Sequence, residues 1–123
     1  MRKTNLEDRR TELIKRLSRG YKQRVGIAQA LVHDPDVIIL DEPTVALSLK
    51  EVAKVINFVH KIKEGGKASI YISHSIPDVY EVSDRFIVLD RGEIGASIPK
   101  KNISLKDLDG FLLEYAHGLK DKE

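Results

Sequence analysis

The chain has 123 residues and a mass of 13.9 kDa, enough for one domain around one hydrophobic core. Hydrophobic residues make up 41% and charged residues 33%, the balance of a soluble globular chain rather than a disordered one. The net charge of +2 is too small to imply a nucleic-acid surface, the lack of cysteine excludes a disulfide scaffold and thiol chemistry, and no apolar run is long enough to span a bilayer.

In chain order, residues 5–16 read as a short charged helix, with Leu6, Leu13 and Ile14 at helical spacing. A second helix is predicted from about Tyr21 to His33, with Val25, Ala28, Leu31 and Val32 on one side and Ser18 as its N-cap. Residues 1–34 carry 9 basic and 4 acidic groups. Such a segment reads first as a solvated helical face and second as a surface turned towards phosphates. Val37-Ile38-Ile39-Leu40 reads as a short strand buried on both faces, as in a parallel sheet, and runs into Asp41-Glu42-Pro43. A third helix is predicted over about Lys50–Lys63, with Val52, Val55, Ile56, Val59 and Ile62 as its apolar stripe and Gly65-Gly66 as its stop.

A second strand, Ala68–Ser73, leads to His74, and Pro77 opens a short helix reaching about Ser83. Phe86–Leu89 and Glu93–Ile98 flank Asp90-Arg91-Gly92 and read as a hairpin. A last helix begins near Ser104, which forms a capping-box pattern with Asp107, and carries Leu105, Leu108, Leu112 and Tyr115. Strands alternating with helices predict an α/β layer fold.

In open α/β sheets, ligands gather beyond the carboxyl ends of the strands. Two strands here end in groups with chemistry: Asp41-Glu42 and His74. Neighbouring acids at a strand end point to opposite faces, so one can hold a hard cation while the other polarises a water. A helix start with a close-approaching glycine, here Ser18 and Gly20, offers free N–H groups and partial positive charge to an anion.

The run Leu17-Ser18-Arg19-Gly20-Tyr21-Lys22-Gln23-Arg24 resembles the signature motif of ATP-binding cassette (ABC) transporter ATPases, whose common form is L-S-G-G-Q followed by Q-R. Val37–Glu42 resembles the Walker B strand of that family, Pro43-Thr44 continues it, and His74 falls where the family's switch histidine lies. The stretches Glu42–Val52 and Asp78–Gly92 look most like ATPases of monosaccharide importers. The resemblance implies a three-layer P-loop NTPase-type parallel sheet with a C-terminal hairpin and helix. It implies ATP and Mg²⁺ as ligands. It assigns Glu42 and His74 to catalysis, Asp41 to Mg²⁺ through water, and Ser18, Gly20 and Gln23 to the ATP of a partner domain. It also implies a second ATPase domain in a dimer, a transmembrane permease subunit, and a place on the cytoplasmic face of the membrane.

Two departures stand out. Arg19 and Tyr21 replace a glycine and a glutamine of the signature, and the D-loop, Ala46-Leu47-Ser48, has serine where the family has aspartate. No G-x-x-x-x-G-K-S/T phosphate loop occurs; Gly65-Gly66-Lys67-Ala68 lacks both its first glycine and its hydroxyl. The fold is therefore expected to be incomplete, the C-terminal part of one ATPase domain. Residues 1–33 would end the helical subdomain, and residues 34–123 would supply part of the core. The rival expectation is a non-catalytic remnant or regulatory module. A soluble DNA-repair cassette is disfavoured by the absence of heptads.

Overall fold

A computed structural model of the chain describes residues 19–120, with side chains from 25 to 118; the helix predicted over 5–16 and the cap residue Ser18 lie outside them. The described elements are α1 (Arg19–Leu31), β1 (Val37–Asp41), α2 (Leu49–Glu64), β2 (Ala68–Ile72), α3 (Ile76–Val82), β3 (Arg85–Asp90), β4 (Glu93–Pro99), a 3₁₀ turn (Lys100–Asn102) and α4 (Leu105–Lys120). All but the 3₁₀ turn match predicted elements to within one or two residues. The chain divides after Ile70 into two compact units.

In the first unit, β1 pairs with β2. The Ala68 N–H donates to the Asp36 carbonyl over 3.0 Å, which sets the amino ends of the two strands side by side and makes the pair parallel. Helix α2 is the crossover between them. It ends at Gly65 and Gly66, whose N–H groups donate to Lys61 and Lys63, and Gly66 takes the positive φ (79°) that releases the chain from the helix. Val55, Val59 and Ile62 from α2 are buried, as are Ile38 and Leu40 from β1.

The expectation that β1 is buried on both faces is corrected. Its burial alternates, with Ile38 and Leu40 inside and Val37 and Ile39 at 53% and 65% exposure. A four-residue apolar run cannot by itself report whether a second layer covers it. The stripe predicted on α1 also shifts: Val25, Ile27 and Leu31 are half-buried, while Ala28 and Val32 are exposed.

In the second unit, β3 and β4 form an antiparallel hairpin. Arg91 and Gly92 both take positive φ, 50° and 80°, the two-residue turn whose twist suits a hairpin. Val88 pairs with Ala96 and Leu89 with Ile94, so Gly95 is an extra, bulged residue. Buried Val82, Phe86 and Leu108 supply the core of this unit, and α3 touches α4. Tyr80 stacks on Phe86 (5.6 Å between ring centroids) and donates its hydroxyl to the Ile103 carbonyl over 3.1 Å. Ser104 caps α4, its Oγ accepting from the Asp107 N–H at 3.2 Å.

Gly95 is where α4 meets the hairpin. A Cβ there would collide with the Tyr115 hydroxyl and come within 2.8 Å of its Cζ. Gly95→Ala is expected to displace the ring and destabilise the second unit by about 1–3 kcal/mol. The same change in a Tyr115→Ala background should cost far less, a coupling that denaturant unfolding of the four variants will read.

The exposed face of the parallel pair generates a second expectation. Val37, Ile39 and Ile70 are all more than half exposed. An apolar strand surface of this kind promotes association. The chain should therefore self-associate in sedimentation experiments at rising concentration, and the double variant Ile39→Lys, Ile70→Lys should shift it towards monomer.

Candidate functional site

The candidate residues fall on three stretches. The first is the start of α1. Its first described residue is Arg19, with Gly20 and Gln23 as the second and fifth; Ser18 lies outside the described residues. Among the described residues, the first turn of α1 holds no acidic residue.

The second stretch runs from β1 to α2. Asp41 is the last residue of β1 and is exposed; Glu42 is half-buried and takes a left-handed φ of 47°. A side-chain-bearing residue in that region costs about 1–2 kcal/mol. The residues after Glu42 hold it there. Pro43 is fully buried and Thr44 is 8% exposed. The Glu42 carbonyl accepts from the Val45 N–H at 3.4 Å, and the Thr44 carbonyl from the Leu47 N–H at 3.3 Å. Two successive turns thus bring the chain through Ala46, also left-handed at φ 58°, to Ser48.

Ser48 is the N-cap of α2, in a reciprocal capping box with Glu51. Its Oγ accepts from the Glu51 N–H at 3.4 Å, while Glu51 Oε2 accepts from the Ser48 N–H at 3.1 Å and from its hydroxyl at 3.2 Å. The residue that departs from the family's D-loop is therefore the residue that starts the helix. Glu51 is not among the predicted site residues, although its signal, Ser-x-x-Glu ahead of an apolar stripe, is plain in the sequence.

The third stretch comes after β2. His74 is exposed and lies two residues past the end of the strand. Ser73 Oγ accepts from the Ser75 N–H at 3.0 Å, a local bridge across His74 that sets its turn before α3. Nothing in the sequence singles out either serine.

The arrangement has definite chemical capacities. Among the described residues no cluster of three or more His, Cys, Asp or Glu side chains forms a metal cage. A single exposed carboxylate such as Asp41 suits Mg²⁺ that arrives with phosphate and water as its other ligands. Glu42, fixed at the backbone by the turns after it, is the better-positioned carboxylate. An open concavity of about 900 Å³ in the second unit is lined by Tyr80, Asp84 and residues 99–104, and contains none of the predicted site residues.

Comparison with known proteins addresses the chain as a whole. A family profile described as ABC transporter matches residues 1–45. The xylose/arabinose import ATP-binding protein XylG of Sulfolobus acidocaldarius is 35% identical over 105 residues, covering 85% of this chain and 42% of that protein. The arginine transport ATP-binding protein ArtM of Bacillus subtilis is 38% identical over 94 residues, 76% of this chain and 39% of that protein. A ribose import ATP-binding protein, RbsA of Yersinia pestis, is 36% identical over 98 residues, 80% of this chain and 19% of that protein. The chain thus spans less than half the length of these relatives. Among solved structures, the ATP-binding cassette MJ0796, in a dimeric post-hydrolysis state bound to ADP and Pi, superposes with a TM-score of 0.64 at 30% identity, over 81% of this chain and 49% of that one. Agreement in fold as well as sequence, over most of its length, makes this chain homologous to the ATPase domains of ABC transporters, sugar and amino-acid importers among them.

Proposed function

We propose that the chain supplies the signature, Walker B, D-loop and switch-histidine part of an ABC ATPase that couples ATP binding and hydrolysis to membrane transport, with sugar import as its direction and substrate class. The observation that carries this reading is the order of the motifs on their elements. Arg19 and Gly20 of the signature run open the described part of α1, Asp41 closes β1 with Glu42 directly after it, and His74 comes after β2. The xylose/arabinose and ribose relatives favour sugar; the arginine relative keeps the substrate class open to test.

In this reading residues 1–33 end a helical subdomain and residues 34–123 belong to the catalytic core, the C-terminal part of one domain. Ser18, Gly20 and Gln23, at a helix start without acidic residues, receive the γ-phosphate of ATP held by a second ATPase domain. Asp41 would hold Mg²⁺ through water, and the ion would supply positive charge towards the phosphates of the nucleotide. Glu42 orients the attacking water and accepts its proton. His74 donates a hydrogen bond to the γ-phosphate. The partners are that second domain and a transmembrane permease subunit, with the chain peripheral on the cytoplasmic face; among the described residues no helix is long and apolar enough to cross a membrane.

The chain contains no G-x-x-x-x-G-K-S/T, so the phosphate cradle must come from outside these 123 residues. That same observation supports the second reading, a non-catalytic regulatory module. The two part in one experiment. The chain alone should hydrolyse ATP at background rate. Fused behind the preceding portion of the Sulfolobus relative, it should show Mg²⁺-dependent turnover, and Glu42→Gln should lower that turnover by about 100-fold or more while ATP stays bound. Turnover near 1 s⁻¹ by the chain alone, or a fusion indifferent to Glu42→Gln, would overturn the proposal. In the same fusion, Ser18→Arg should abolish dimer-dependent turnover and leave ATP binding intact. Full turnover in that variant would remove Ser18 from the site.

A further inference from the structure

The loop from Glu42 to Ser48 contains two left-handed residues, Glu42 and Ala46, within five positions. Its upstream end is anchored by burial of Pro43 and Thr44. Its downstream end is less buried: Leu47 is half-buried, and Val45, Ala46, Ser48 and Leu49 are exposed, Leu49 at 91%. Hydrogen bonds that fasten this end to α2 include those of the capping box and the Val52 N–H to Ser48 carbonyl bond of 2.9 Å. Glu51 takes a double load in the box, accepting from both the N–H and the hydroxyl of Ser48 through one oxygen.

We propose that Glu51 is a positioning residue for Glu42: through Ser48 it pins the far end of the loop and so holds the left-handed turn that aims the Glu42 carboxylate. The proposal rests on the reading of Glu42 as the carboxylate that orients water. It also accounts for serine at position 48. A serine hydroxyl accepts from the Glu51 N–H and donates to Glu51 Oε2 at once. Aspartate caps helices as well as serine does, but it has no proton to give and would set a second carboxylate against Glu51. Ser48 and Glu51 are thus a matched pair, and each constrains what the other can be.

Amide hydrogen exchange on the full chain tests this without any need for hydrolysis. The Val45, Leu47 and Val52 amides report the two turns and the cap; the hairpin amides of residues 86–88 and 96–98 are the internal control. In Glu51→Ala, which leaves Ser48 as the cap but removes its carboxylate partner, the three loop amides should exchange about five-fold faster, the change expected for loss of one ordinary hydrogen bond, with the hairpin unchanged. Glu51→Gln keeps both acceptor contacts and should restore protection. Ser48→Asp should lose protection when Glu51 is present and recover it when combined with Glu51→Gln. Unchanged loop exchange in Glu51→Ala, equal acceleration of loop and hairpin, or a Ser48→Asp effect indifferent to residue 51 would each overturn the pairing. An inert Glu42→Gln in the fusion assay overturns the functional reading instead, by a separate measurement.

Discussion

A backbone turn at a side-chain-bearing residue is the constraint on which the candidate site depends. β1 ends in Asp41, and the next residue, Glu42, reverses into a left-handed conformation that only glycine adopts freely. Nothing in glutamate favours that geometry. It persists because the residues on either side leave no alternative: Leu40 is 5% exposed just before it, and Pro43 and Thr44 are buried just after it. The conformation is over-determined by packing, which is the usual condition under which strained residues survive at functional positions. Two adjacent carboxylates are thereby given different settings, one at the open end of a strand and one at a fixed turn.

Local constraints are legible in the sequence and distant ones are not. Element type and bounds rest on local signals. Gly65-Gly66 ends α2, Asp90-Arg91-Gly92 turns the hairpin, and Ser104 caps α4; each is a matter of a few neighbouring residues. Asp41, Glu42 and His74 are readable as candidates because ligands in open α/β sheets gather beyond the carboxyl ends of the strands. The depth to which β1 is buried is not legible, because Val, Ile and Leu look alike whether one face or two are covered. The bulge at Gly95 is invisible for a different reason. It exists to admit Tyr115, twenty residues on, and no local pattern announces a contact between a hairpin and a later helix. The left-handed turns at Glu42 and Ala46 are likewise hidden, since neither residue is the glycine or asparagine that marks such conformations.

Departure from the family pattern at position 48 looks different once Glu51 is considered with it. Taken alone, serine for aspartate reads as a lost acidic group. Taken with its partner, it is a working N-cap in a setting where the third residue of the helix is glutamate. Ser48 thus fits its local setting. The turns from Glu42 to Leu47 are hydrogen-bonded, and the helix begins at Leu49, directly after its cap.

The fixity of the carboxylates has a source that the extent of the sheet does not supply. A two-stranded sheet is marginal on its own. β1 nevertheless buries Ile38 and Leu40 at 3% and 5% exposure, and the side chains available to cover them in the first unit include Val55, Val59 and Ile62 of α2, all nearly fully buried. Burial of each such side chain contributes about 1.5–3 kcal/mol. This exceeds the net worth of a strand-pairing hydrogen bond, about 1 kcal/mol. The strand that presents Asp41 is therefore held chiefly by packing of its inner face. The loop after it is tied to α2 through Ser48, so the turn at Glu42 lies between a strand held by apolar burial and a loop held by a cap. A cavity opened under Leu40 and a broken cap at Ser48 would disturb the same carboxylate by different routes. One would act through the strand that leads into it, the other through the turns that lead away.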